Sequence, residues 1–253
     1  MTNYTVILDG EKKIGYTKLN QCVKEVAPVK ESSLHRWLER GLDLLYPRKC
    51  PYCQMILTDP EQPLCTECQS RLPWLTGEEA RREVDFTSGC FSPLRYQGPV
   101  PEAVHRYKFG CKRSYGPKFG LILAQCVQDQ KLPVLDGVTW APLSRRRLRK
   151  RGFDQAELLA RETARHLELP VFSLLEKTRH TAPQSGLSGE AARRANALGA
   201  YSLRSGVDLR GRKLLLIDDV VTTGATLSEC ARLLRQEGAE VYCAALARAH
   251  RGT

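Results

Sequence analysis

The stretch Lys213-Leu214-Leu215-Leu216-Ile217-Asp218-Asp219-Val220-Val221-Thr222-Thr223-Gly224-Ala225-Thr226-Leu227 decides the fold. An apolar run of strand length ends at two carboxylates. A small turn rich in hydroxyls and containing glycine follows, and then an amphipathic helix. In a parallel sheet this loop lies at the carboxyl end of a strand, where ligands bind. It leads into a helix N-terminus, whose free N–H groups and positive dipole end suit a phosphate. Thr222, Thr223 and Thr226 add hydroxyl donors, and Gly224 lets the backbone approach closely. Asp218 and Asp219 would repel a bare phosphate but fit the vicinal hydroxyls of a sugar, directly or through Mg²⁺. Together these features fit a ribose 5-phosphate.

The surrounding sequence supplies the rest of such a sheet. Strands are expected at Cys90–Tyr96, Val138–Ala141, Arg212–Ile217 and Val241–Leu246. Helices are expected after Gly98, over Pro117–Gln128, from a cap at Asp154 to Leu167, and over Thr226–Gln236. Strands alternating with helices predict an α/β fold with a parallel sheet covered on both faces. Upstream, Tyr4–Thr17 reads as a small hairpin around Asp9-Gly10. Leu34, Trp37, Leu38, Leu42 and Leu45 form one stripe of an amphipathic helix. The expected division is an N-terminal extension over 1–45, a cysteine-bearing module over 46–80 and the α/β domain over 81–253.

The chain has 253 residues, 42% of them hydrophobic and 26% charged, which excludes wholesale disorder. No apolar window is long enough to span a membrane, and the first ten residues do not read as a secretory signal, so the expected compartment is the cytoplasm. The net charge of +11 favours an anionic partner such as nucleic acid, a phosphorylated small molecule or an acidic membrane surface. Of the ten cysteines, Cys22, Cys90, Cys111, Cys126, Cys230 and Cys243 share no spacing and read as small buried residues. Cys50, Cys53, Cys65 and Cys68 form two Cys-x2-Cys knuckles separated by eleven residues. Two such knuckles complete a tetrahedral thiolate shell, which suits a structural zinc with no open position; iron fits the same shell. Thioredoxin-like redox pairs begin a helix of a βαβ unit, and neither knuckle does.

The stretch from Lys213 resembles the phosphoribosyl-pyrophosphate (PRPP) signature of type I phosphoribosyltransferases. Trp140–Ala160, Thr181–Leu187 and the series Arg193, Asn196, Gly199 and Tyr201 look like blocks of the ComF/GntX family, as does a four-cysteine ribbon ahead of such a domain. The resemblance spans residues 42 to 247 and implies a phosphoribosyltransferase-like, Rossmann-like fold. It implies that Asp218 and Asp219 hold the ribose hydroxyls and that Val220, Val221, Thr222, Thr223, Gly224, Ala225 and Thr226 complete the PRPP site, with Mg²⁺ carried by PRPP. It also implies a cytoplasmic protein that works with incoming single-stranded DNA in natural transformation, alongside a competence helicase. The family more often carries Asn where Asp154 stands, which weakens an anion contact expected there.

From Arg145 to Arg151, six of seven residues are basic, and the run follows a strand end on the ligand side of the sheet. Arg145, Arg146, Arg147, Arg149 and Arg151, with Lys108, are the candidates for pyrophosphate or a DNA backbone. Tyr107, Phe109, Tyr115 and Phe153 are candidate stacking residues. Lys177–Asn196 corresponds to the region where related enzymes close a loop over PRPP. His105 and His180 read as surface or packing residues. Two functions fit: a PRPP-dependent transferase, or a non-enzymatic adaptor for single-stranded DNA or a helicase that binds the phosphoribosyl group only as a ligand.

Overall fold

The computed structural model describes residues 48–57, 62–110, 112–179, 195–206 and 208–249. The strands are β1 (Arg81–Arg82), β2 (Gly89–Phe91), β3 (Leu94–Arg95), β4 (Gly137–Trp140), β5 (Leu175–Lys177), β6 (Tyr201–Leu203), β7 (Lys213–Val221) and β8 (Glu240–Arg248). The α-helices are α1 (Thr66–Arg71), α2 (Val100–Phe109), α3 (Gly116–Asp129), α4 (Arg145–Arg151), α5 (Gln155–Leu167) and α6 (Ala225–Gln236).

The main sheet runs β1-β2-β8-β7-β4, with β3 continuing along β8. Every pairing is parallel except β1 with β2. Its centre shows why an unbroken apolar run suits a parallel strand. Leu214 and Leu216 face one hydrophobic layer with Val241, Cys243 and Ala245. Leu215 and Ile217 face the other, with Tyr242, Ala244 and Leu246. With side chains alternating between faces and both faces covered, no position can be polar.

On the second face α3 packs against α5. Gly120 permits the contact, since a Cβ there would lie 2.3 Å from Glu162 Cβ. The buried Phe119 ring gathers Tyr52, Tyr107 and Tyr115, with centroids 5.9, 5.3 and 5.7 Å away. Tyr52 comes from the first cysteine knuckle, and Leu64, Leu72 and Leu75 join the same apolar cluster. One core therefore runs through the boundary expected at residue 80.

Two expectations need correction, and one strand pair was not expected. The strand expected over Cys90–Tyr96 is two short pieces, because Pro93 interrupts it. Residues 73–75 take up the pairing there, with Leu75 N donating to Pro93 O and Arg95 N to Pro73 O. The segment from Pro73 to Asp85, which reads as a linker, buries Leu75, Ala80 and Val84. The antiparallel β5–β6 pair has no clear signature in its short strands. The N-terminal hairpin and amphipathic helix lie outside the described residues, as do Cys22, Cys111 and most of the Lys177–Asn196 segment. The scattered cysteines that are described, Cys90, Cys126, Cys230 and Cys243, are free and buried.

Candidate functional site

Strand β7 does not stop at the acids. β8 runs beside it to Arg248, so Asp218 pairs with Ala245 and Val220 with Ala247, and Val221 is buried. The strand period sends adjacent side chains to opposite faces, and the two acids meet different partners. Asp219 Oδ1 lies 2.8 Å from Lys108 Nζ at the end of α2, with side chains 14% and 22% exposed. Asp218 accepts the Asp219 N–H at 2.8 Å. Burial, and then the neighbouring Asp219 charge, push the Asp218 carboxyl well above the usual carboxylate range.

Beyond Val221, Thr222 and Thr223 lead to Gly224, which has φ +85. Only glycine takes this conformation without strain, and a Cβ would also press on Val84 at 3.1 Å. Ala225 then opens α6, which has no side-chain cap on its N-terminus. The Ala225 N–H donates to Thr223 Oγ1 at 3.4 Å, so the turn itself holds the first donor of the helix. Thr226 hydrogen-bonds Tyr201, which comes from β6.

Lys177 was not foreseen. Its Nζ donates to Tyr201 Oη at 2.9 Å and lies 4.6 Å from the centre of that ring. Burial, aided by Arg147, lowers the Lys177 ammonium to about 8, while Asp218 opposes the shift. The contact depends on the Lys177↔Tyr201 register of β5 and β6, which no local sequence signal specifies.

The basic run forms the short helix α4. Ser144 caps its start by accepting the Arg147 N–H at 3.5 Å, and Gly152 at φ +77 ends it. Helical geometry divides the charges. Arg145, Arg146, Arg149 and Lys150 are exposed, whereas Arg147 and Arg151 are half-buried. Arg151 turns inward: Nη1 donates to Gln155 Oε1 at 2.7 Å, and its guanidinium lies 4.6 Å from the Phe109 ring centre. Among the stacking candidates Tyr107, Tyr115 and Phe153 are buried, and Phe109 is 53% exposed.

Asp154 caps α5 as predicted. Its carboxylate accepts from Ala156 N at 3.0 Å and Glu157 N at 3.3 Å, and also from Leu143 N at 2.7 Å. Burial pushes it up to about 6. The residue ties the loop after β4 to α5, so its carboxylate is a structural cap here and not an anion contact.

The four cysteine sulfurs lie within 4.8 Å of one another, and Cys53 Sγ is 3.4 Å from Cys65 Sγ. Zn–S bonds of about 2.3 Å in a tetrahedron require S···S edges of about 3.8 Å, so the cluster fits zinc with small adjustment. Cys65 also caps α1, accepting the Cys68 N–H at 3.4 Å. Arg106 Nη2 donates to Pro51 O at 2.8 Å and Tyr52 O at 2.9 Å, the carbonyls between the first two cysteines. Its Nη1 pairs with Glu102. These contacts fix the knuckle on α2.

Residues 154–253 match the phosphoribosyl transferase domain family, and residues 41–80 match the double zinc ribbon domain family. Fold and site thus define a phosphoribosyltransferase-type α/β protein with a four-cysteine zinc ribbon. Competence protein F of Haemophilus influenzae is 30% identical over 213 residues, which cover 76% of this chain and 93% of that protein. The DNA utilization protein YhgH of Escherichia coli K12 is 31% identical over 203 residues, covering 77% of this chain and 82% of the relative. A stretch of 41 residues, 16% of this chain, is 58% identical to the adenine phosphoribosyltransferase of Mycobacterium avium and covers 23% of it. The chain belongs to the ComF/GntX family, with Competence protein F and YhgH among its relatives. No helix among the described residues is long and apolar enough to cross a membrane.

Proposed function

We propose that this protein binds PRPP with Mg²⁺ and acts on or with single-stranded DNA in the cytoplasm during DNA uptake in natural transformation. The observation that carries the reading is the Thr222–Gly224 turn, which brings the N-terminus of α6 just past the acidic pair on β7. In this reading the turn and the first N–H groups of α6 grip the 5-phosphate. Asp218 and Asp219 take the ribose hydroxyls. Arg145 and Arg147, at the carboxyl end of β4, face the pyrophosphate. Mg²⁺ supplies charge neutralisation on the pyrophosphate when bound. The names of the H. influenzae and E. coli relatives support a role in competence and DNA use.

Calorimetry with PRPP and Mg²⁺ tests the ligand, and a pyrophosphate-release screen against free bases and single-stranded DNA tests turnover. Binding without release favours the adaptor reading, in which the site serves DNA or helicase recruitment. The basic helix has its own expected result. Replacing four of its arginines by Ala should flatten the log–log salt dependence of oligonucleotide binding by about 3 units. An unchanged slope removes α4 from the DNA surface.

The Lys177 ammonium adds a pH dependence. It is charged below about 8 and neutral above, and the Asp218 carboxyl, raised by burial, gains its negative charge over the same range; both changes make the site more negative, so PRPP affinity should hold near pH 7 and fall towards pH 9. Lys177→Met should weaken binding at pH 7 and flatten the fall. Calorimetry at three pH values reads both effects.

A further inference from the structure

Phe109 is an exposed aromatic next in sequence to the lysine that pairs with Asp219. It is the last residue of α2 and directly follows Lys108, which holds Asp219. More than half of its surface, 53%, is open to solvent. Two planar groups lie against it: the Arg151 guanidinium at 4.6 Å and the His105 ring at 4.8 Å, tilted by 41°. Arg151 is itself fixed by Gln155 at 2.7 Å, and Gln155 Nε2 donates to Lys108 O at 3.4 Å. The result is a cluster of flat groups braced from below. Aromatic rings and guanidinium planes are the side-chain surfaces on which unpaired bases stack.

The charge lies alongside. Arg151 is the last residue of α4, and Arg145, Arg146, Arg149 and Lys150 of the same helix are exposed. Seven helical residues extend about 10 Å, the length of about three nucleotides of a stacked strand. We propose that Phe109, braced by Arg151, is a nucleobase-stacking subsite for a single-stranded nucleic acid whose backbone lies along α4. The inference rests on the DNA part of the proposed function and adds where a base sits: next to Lys108 and Asp219, at the rim of the phosphoribosyl site. It also predicts tolerance of sequence, because every base offers a π face and the cluster offers little that reads base edges.

The full-length protein is titrated with three probes: labelled oligo-dT, an abasic oligonucleotide of equal length and charge, and thymidine monophosphate. The variants are Phe109→Leu, which keeps the apolar bulk, and Phe109→Trp, which keeps the stacking face. Phe109→Leu should bind oligo-dT about tenfold more weakly and the abasic strand as the parent does. Phe109→Trp should retain affinity, and oligo-dT should quench its added indole emission more than the abasic strand does. Equal binding of oligo-dT by the parent and Phe109→Leu, or equal loss for both strands, overturns the subsite while leaving the DNA reading in place. A mononucleotide that binds as tightly as the strand overturns the strand assignment. A parent protein that binds neither oligonucleotide overturns the DNA reading together with the subsite. The PRPP-induced rise in melting temperature should be unchanged in both variants, separating a lost stacking face from a damaged phosphoribosyl site.

Discussion

Asp218→Asn combined with Asp219→Asn should abolish the stabilisation that PRPP and Mg²⁺ give the parent protein. A ligand at a hundred times its Kd stabilises the native state by about 2.7 kcal/mol, or about 5–10 °C in melting temperature for a chain of this size. The single variants should differ in how much they disturb the free protein. Asp218 holds a proton well above the usual carboxylate range, so an amide replaces a largely neutral group and the apo melting temperature should barely move. Asp219 forms a 2.8 Å ion pair with Lys108, and its amide leaves a partly buried lysine without its charge partner. That variant should lose about 2 kcal/mol before any ligand is added. Differential scanning fluorimetry with and without PRPP measures both effects. A double variant that keeps the full ligand shift would remove the acidic pair from the ribose site.

Purified protein should carry about one zinc per chain, and Cys50→Ser with Cys53→Ser should remove it. The four sulfurs converge within 4.8 Å, and burial raises the Cys53 and Cys68 thiols. Burial acts to raise the Cys50 thiol, but N–H groups of Cys53, Cys65 and Tyr52 outweigh it and hold it at about 7. The damage should extend beyond the ribbon, because Tyr52, Leu64, Leu72 and Leu75 share a cluster with Phe119 and Tyr115 of the α/β domain. A fall in melting temperature of about 10 °C or more is expected, the size that follows when a folded metal knuckle and its packed neighbours are released together. Metal analysis and a thermal melt on the same sample are the measurements. A fully folded, metal-free parent protein would defeat the assignment.

Much of this was legible in the sequence where a local pattern has one physical solution. The apolar run Leu214–Ile217 between polar ends could only be a strand buried on both faces, and the cap at Asp154 announced α5. The cysteine spacing specified a cluster before any fold was known. Contacts that depend on long-range register were not legible. Lys108 and Asp219 are 111 positions apart, and nothing near either residue announces the pair. Lys177 reaches Tyr201 only because β5 and β6 align across 24 positions. The basic run was visible as charge, but its division into inward Arg151 and outward Arg145, Arg146 and Arg149 required the Ser144 and Gly152 caps to be recognised as the ends of one short helix.

Helix α2 holds both modules by one end. Arg106 grips the carbonyls of the metal knuckle, and two residues later Lys108 grips Asp219. Each residue advances about 100° around a helix, so these two side chains emerge on nearly opposite sides, one towards the ribbon and one towards the sheet. The spacing acts as a length standard. Inserting or deleting one residue between them would swing one grip by about a quarter-turn and leave either the knuckle or the acidic pair without its cation. The ribbon and the α/β domain can therefore drift in sequence, but not in their separation across this turn. A chimera that exchanges ribbons between relatives must carry α2 with the ribbon or match its phase.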